Sequence, residues 1–224
     1  MEKFGNITLY HADCMEIMKT FSDKQFDLAI VDPPYGLNIS NNMGRRKGDK
    51  KSTYKKVCWD NEPPDADFFK ELLRVSKNQI IWGANHFISR IPLDSPCWLC
   101  LDKGFSPDVS FASFELAITS FNINAKRVYI PLEQKGRIHP TQKPVALYAW
   151  ILNNYASKGT KIIDTHLGSG SICIAANDMG FQLTGIEIDE EYYNAAKKRL
   201  LNHQSQLKIF DNKQDNYKEL EIFI

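Results

Sequence analysis

Asp32-Pro33-Pro34-Tyr35 is the segment of this sequence whose residue types point most directly to chemistry. Two consecutive prolines fix the backbone and remove two N–H donors, so the carbonyl groups beside them face outward as acceptors that no helix consumes. An amine on an aromatic ring is a poor nucleophile, because its lone pair is delocalised into the ring. Two acceptors gripping its hydrogens favour a pyramidal nitrogen. The Asp32 carboxylate and the Pro33 carbonyl could supply that grip, and Tyr35 offers a ring on which an unstacked base could lie. The competing explanation is local: a strand stopped by proline, with Asp32 as a turn acceptor.

A second group of residues lies in the last third of the chain. Asp164 ends a short apolar run, Gly168-Ser169-Gly170 makes a turn, a helical pattern follows, and Glu187 closes the next strand candidate. A glycine-rich turn between strand and helix lets backbone approach a ligand, and a carboxylate at the end of the next strand can accept hydrogen bonds from ribose hydroxyls. A nicotinamide-binding turn would need glycine where Cys173 stands. A tight turn with no ligand would use the same glycines.

The elements that must position these groups alternate between strand and helix. Phe26–Val31 is almost wholly apolar, as suits a strand buried on both faces and stopped by proline. Strands are predicted at Ile7–Tyr10, Gln79–Gly83, near Cys97–Leu101, Glu115–Phe121 and Lys126–Ile130, and at Lys161–Asp164 and Leu183–Glu187. Helical spacing marks Cys14, Ile17, Met18 and Phe21, then Ala66–Val75, a helix starting near Asn85, and Val145–Ala156. It marks Ile172, Ala175, Ala176 and Met179, capped by Gly180, and finally Tyr193, Ala196 and Leu200. This order predicts an α/β fold with a mostly parallel, doubly wound sheet.

One domain over residues 1–203 is expected, with a polar tail over 204–224 and insertions at about 36–64 and 103–113. The 36–64 segment lacks a sustained period and reads as a long loop. It holds Arg45, Arg46, Lys47, Lys50, Lys51, Lys55 and Lys56 among glycine and hydroxyl residues, with Asp49 the only acid between Arg45 and Lys56. Such a cluster suits nucleic-acid phosphates even though 28 basic and 27 acidic side chains leave a net charge near zero. A solvated charged loop is the alternative. No apolar run is long enough to cross a bilayer and no signal-peptide pattern opens the chain, so a cytoplasmic location without membrane attachment is expected. The five cysteines are scattered without a second set of ligand spacing, so neither zinc nor another metal is expected.

Taken together, the motifs resemble the amino-methyltransferases of DNA, in the permuted beta group whose catalytic motif precedes its cofactor motif. Asp32-Pro33-Pro34-Tyr35 is similar to the catalytic tetrapeptide, and His139-Pro140-Thr141-Gln142-Lys143-Pro144 to the segment before the cofactor strand. Asp164 to Ser171 is similar to the family's D-P-F-x-G-S-G-T, with Thr165 and His166 in place of Pro-Phe and Ser171 in place of Thr.

The resemblance implies a Rossmann-like methyltransferase fold with circularly permuted motif order, S-adenosylmethionine as cofactor, and double-stranded DNA as partner. It implies catalysis by Asp32, Pro33, Pro34 and Tyr35. Thr141 and Lys143 suit the cofactor carboxylate, Asp164 its ammonium, Gly168, Ser169 and Gly170 the turn beneath it, and Glu187 its ribose. Asp13 suits the adenine region, or is simply a helix N-cap with Glu16 three residues on. The target base would be flipped out of the duplex, with the basic loop on phosphates. Asp at the first motif position favours adenine N6 over cytosine N4. A DNA-gripping regulator that binds the cofactor without reacting is the reading from another class. Monomer and homodimer both fit.

Overall fold

The fold follows from a sheet with helices on both faces, in a computed structural model that describes residues 1–37, 62–104, 112–130, 137–139 and 141–206. In chain order, the strands are β1 (Glu2–Phe4), β2 (Ile7–His11), β3 (Phe26–Val31), β4 (Ser76–Trp82), β5 (Trp98–Asp102), β6 (Phe114–Thr119), β7 (Lys126–Tyr129), β8 (Lys161–Asp164) and β9 (Gln182–Glu187). The helices are α1 (Cys14–Met18), α2 (Ala66–Val75), α3 (Val145–Tyr155), α4 (Ser171–Met179) and α5 (Glu190–Ser205). The sheet order is β1-β2-β9-β8-β3-β4-β6-β5-β7. Strands β2, β9, β8, β3 and β4 run parallel, whereas β6 is antiparallel to both β4 and β5, and β1 is antiparallel to β2.

Period-two alternation along β3 shows why its run is apolar throughout. Leu28 and Ile30 face a core built with α3, α4 and α5, while Ala29 and Val31 face a second core built with α1 and α2. Ile80 and Trp82 of β4 join the first core and Ile81 the second. Helix α2 contributes Phe68, Phe69, Leu72 and Val75, all buried. Each fully buried side chain of this size contributes about 1.5–3 kcal/mol relative to exposure.

At the opposite end of β3, Asp27 ties the sheet together. It accepts from the Lys77 ammonium at 2.7 Å and from the Lys161 backbone at 2.9 Å, linking the starts of β4 and β8.

The chain leaves β3 for β4 through α2, and leaves β8 for β9 through α4 on the other face. Because β3 and β8 are neighbours, their onward connections depart in opposite directions. Ligands of open parallel sheets bind in the crevice at such a reversal, outside the carboxyl ends of the strands. The pairing of Leu28 with Ile162 and Ala29 with Ile163 sets that crevice between Asp32 and Asp164.

Three departures from the sequence reading have local causes. The edge strand β1 is too short and carries too few apolar residues to show a period. The helix expected near Asn85 is a pair of 3-10 turns, Ala84–His86 and Ile88–Arg90, entered through Gly83 in a left-handed conformation (φ 70°). Helix α1 closes at Met18, so Phe21 lies beyond it, with its ring edge-on to Phe26 at 5.0 Å. Gly180 closes α4 with φ 75° as expected.

The glycine at the start of α4 is constrained by packing as well as by conformation. Gly170 has φ 67°, and a Cβ there would lie 2.9 Å from the Cβ of Ala196 on α5. Gly170→Ala is therefore expected to destabilise the protein by about 1–3 kcal/mol, read as a lower Tm in thermal unfolding. An unchanged Tm would contradict this packing.

Candidate active site

Asp32 lies immediately beyond β3, where Pro33 and Pro34 end the strand and bring Tyr35 back toward it. The Tyr35 hydroxyl donates to Asp32 Oδ1 at 2.6 Å. The Lys143 ammonium, 111 residues away in sequence, donates to Asp32 Oδ2. It also donates to Glu115 Oε2 at 3.1 Å and to Tyr35 Oη at 3.3 Å, and sits 5.3 Å from the centre of the Trp82 ring. Glu115 Oε1 in turn accepts from Lys103 at 2.6 Å.

Only 5% of the Lys143 side chain and 15% of Asp32 are exposed, so both charges depend on their partners. Burial pushes the Asp32 carboxyl above its ordinary range, against the pull of Lys143. Burial would lower Lys143, but Asp32 and Glu115 outweigh it and hold the ammonium above its usual value. For Glu115, burial is outweighed by Lys143 and Lys103, leaving it at about 2 and ionised. Burial and the Asp32 charge keep the Tyr35 phenol neutral.

Tyr35 is set against backbone by the first residue after β4. A Cβ on Gly83 would stand 2.0 Å from Tyr35 Cε1, so only glycine admits the ring. The His86 imidazole stacks on Tyr35 with centroids 5.0 Å apart and planes 16° from parallel.

Across the crevice, the Asp164 carboxylate is almost fully buried and accepts from the His166 backbone at 3.0 Å. Burial, with Asp32 and Glu187 adding to it, pushes its pKa up to about 8. Glu187 closes β9, the next strand, and grips the glycine turn. Its Oε2 accepts from Gly168 N at 2.7 Å and its Oε1 from Asp189 N at 2.9 Å. Burial raises this carboxyl too, opposed by those backbone donors. Arg199 of α5 fixes the turn from below, donating to Ser169 O at 3.1 Å and Ser171 Oγ at 2.9 Å.

The His139–Lys143 segment packs over the same turn. The His139 ring would be 3.7 Å from a Cβ on Gly168 and lies 4.2 Å from the Tyr192 ring. Burial lowers its pKa to about 4, and its Nδ1 pairs with the Thr141 hydroxyl at 3.0 Å, so His139 is a neutral packing and hydrogen-bonding residue.

The structure thus brings Asp32, Tyr35 and Lys143 together on one side of the crevice and Asp164, Gly168, Ser169, Gly170 and Glu187 on the other. Two residues expected to contact the cofactor have partners within the protein. Lys143, expected to hold a cofactor carboxylate, has its ammonium on Asp32 and Glu115. The Thr141 hydroxyl faces His139. Asp13 is exposed and caps α1, its Oδ1 accepting from Met15 N at 2.7 Å, with β2 bringing it to the edge beside Glu187. Arg45, Arg46, Lys47, Lys50, Lys51, Lys55 and Lys56 lie outside the described residues.

Glu115 and His86 were not singled out from the sequence, and Lys103 entered only as the start of the 103–113 insertion. A lone carboxylate at the mouth of an otherwise apolar strand was the available signal for Glu115. His166, which replaces the family's Phe, meets Phe68 edge-on at 5.2 Å. Burial drops its pKa to about 4, so it stays a neutral ring.

Among the described residues, no group of His, Cys, Asp and Glu is arranged to hold a metal ion, and no helix is long and apolar enough to cross a membrane. Cys14, Cys97, Cys100 and Cys173 are free thiols.

Comparison with known proteins gives this geometry a family. The family model described as DNA methylase matches residues 81–198, more than half of the chain. The type II methyltransferase M.HinfI of Haemophilus influenzae is 23% identical over 244 residues, covering 86% of this chain and 68% of that protein. Two solved structures share the fold. M1.HpyAVI in complex with SAM has a TM-score of 0.56 at 23% identity, covering 87% of this chain and all of that one. The cytosine-N4-specific PvuII DNA methyltransferase has a TM-score of 0.61 at 13% identity, covering 97% and 96%. The chain belongs to the N6/N4 DNA methyltransferase family, whose members take their methyl group from S-adenosylmethionine.

Proposed function

We propose that the protein methylates the exocyclic N6 of an adenine flipped out of a short double-stranded DNA site. The observation that carries this reading is the placement of the Asp32 carboxylate at the tip of β3, beside the Asp164 and Glu187 carboxylates that end β8 and β9.

The residues present fit the cofactor chemically. Asp164 is a buried carboxyl that accepts from the His166 backbone, and it suits an ammonium. Glu187 keeps free lone pairs for ribose hydroxyls after holding Gly168 and Asp189. Asp13, at the edge beyond β2, suits the adenine end. Gly168, Ser169 and Gly170 bring backbone close beneath the ligand, and Thr141 borders the same turn. Bound S-adenosylmethionine supplies a methyl group on a cationic sulfur, open to displacement by an amine.

Asp32 and the Pro33 carbonyl accept the hydrogens of the target amine and hold its lone pair toward the methyl. Each Asp32 oxygen has two lone-pair directions, so the bonds to Tyr35 and Lys143 still leave acceptor sites for the amine. Pro34 keeps the turn rigid. Tyr35 offers its ring to the base, and displacement of the stacked His86 would open further ring area. Flipping costs a few kcal/mol, offset by stacking and by phosphate contacts from Arg45, Arg46, Lys47, Lys50, Lys51, Lys55 and Lys56. Aspartate at the first motif position supports adenine over cytosine.

Incubation with methyl-labelled cofactor and duplex DNA, followed by digestion to nucleosides, tests this reading. Label in N6-methyladenine is expected, with Asp32→Ala reducing it by at least about 100-fold. Label in N4-methylcytosine would replace adenine by cytosine as target. Cofactor and DNA binding without transfer would favour a regulator.

The pKa of Asp164 supplies an independent test. Its folded value of about 8 lies above the ordinary carboxyl value, so the free protein carries this group mostly protonated at neutral pH. An ammonium ligand favours the ionised form, so binding must release a proton. Affinity for the cofactor is therefore expected to rise with pH toward about 8, where the ligand's own ammonium begins to titrate. Titration calorimetry at neutral pH in buffers of different ionisation enthalpy should show proton release, and Asp164→Asn should abolish it. Release unchanged in that variant would remove Asp164 from this role.

A further inference from the structure

Glu115 takes no part in the chemistry above, yet it is the acceptor through which the Asp32 pair reaches the rest of the molecule. It lies near the start of β6, opposite Leu101 of β5. Its Oε1 is fixed by Lys103 at 2.6 Å and its Oε2 takes the Lys143 ammonium at 3.1 Å. The Lys103 side chain is 12% exposed and that of Glu115 24%, so the link is shielded from solvent competition. An ammonium has three donors, and those of Lys143 are directed to Asp32, Glu115 and the Tyr35 hydroxyl.

This sharing matters for an acceptor that must stay both ionised and basic. A buried carboxylate with no cation nearby would take up a proton and lose its power to attract amine hydrogens. One with an ammonium wholly to itself would be a weak acceptor, its charge already neutralised. Glu115 prevents the second outcome: it draws one Lys143 donor away, and its own negative charge opposes that of Asp32. Lys103 prevents the first by neutralising Glu115, so that the cluster of two carboxylates and two ammonium groups balances.

We propose that Glu115, anchored by Lys103, is a positioning residue for methyl transfer that holds Lys143 between two carboxylates and so sets the basicity of Asp32. The proposal rests on the reading of Asp32 as the group that grips the amine. Among the described residues, the ionisable groups that face Asp32 are Tyr35 from its own segment, Lys143 from the segment before α3, Tyr148 from α3, Glu115 from β6 and Asp164 from β8. Lys103 acts on it through Glu115.

Two substitutions should move the pH profile in opposite directions. In Glu115→Gln a neighbouring negative charge is lost and Lys143 falls wholly to Asp32. The acid limb of kcat should then shift down by about one pH unit, with kcat reduced about tenfold. KM for S-adenosylmethionine should stay within about twofold. Glu115→Asp should restore both limb and rate in part. In Lys103→Met, Glu115 draws Lys143 from Asp32, so the acid limb should shift up.

Steady-state methylation of duplex DNA by the full chain, measured across pH and cofactor concentration beside a thermal melt, reads these effects and remains decisive through Lys103→Met if Glu115→Gln fails to fold. Limbs that do not move, or that move in the same direction in both variants, overturn the proposal. So does a higher KM for the cofactor with kcat unchanged. Asp32→Asn separates the two levels: full activity there defeats the assignment of Asp32 itself. An inactive Asp32→Asn beside a Glu115→Gln profile identical to wild type defeats only the role of Glu115.

Discussion

Burying carboxylates is the constraint on which this structure turns, because the parallel strands β3, β8 and β9 deliver Asp32, Asp164 and Glu187 to one end of the sheet. An unpaired carboxylate taken out of water costs several kcal/mol, so each must be compensated. The three solutions differ. Asp32 is paired with the ammonium of Lys143, Asp164 is pushed by burial toward its protonated form, and Glu187 accepts two backbone N–H groups from the turns it braces. Each solution leaves a distinct capacity: an ionised acceptor for amine hydrogens, a group that ionises when a cation arrives, and a fixed acceptor beside a glycine turn.

The remainder of the fold serves that arrangement. Alternation along β3 and β4 requires helices on both faces, and the crossings through α2 and α4 lie on opposite sides. The crevice therefore opens where β3 and β8 part company. Glycines are needed at two close approaches: Gly83 lets the Tyr35 ring lie on backbone, and Gly170 lets α5 meet the turn. Arg199 and Glu187 then hold the turn from opposite directions. The site is braced by side chains whose own positions are set by packing, which is what preorganisation of an acceptor requires.

What could be read from the sequence was local or periodic. The apolar run Phe26–Val31, the proline stop after Asp32, the glycine turn before α4 and the carboxylate ending β9 each carry their own signal over a few residues, and their order is that of a parallel sheet. The adjacency of Asp32 and Asp164 follows from the pairing of β3 with β8 at the reversal point. What escaped was set by pairing between distant segments. Lys143 meets Asp32 across 111 residues, Glu115 of β6 meets Lys143, and Lys103, just beyond β5, meets Glu115, with no local pattern that announces them. The edge strand β1 and the 3-10 turns after Gly83 were missed for another reason: three residues are too few to display a period.

The most direct measurement is a structure of the protein bound to S-adenosylhomocysteine. The account predicts its ammonium on Asp164, its ribose hydroxyls on Glu187, and its sulfur facing Asp32 across the crevice. An adenosine moiety seated away from the Gly168–Gly170 turn, or a sulfur directed away from Asp32, would contradict it.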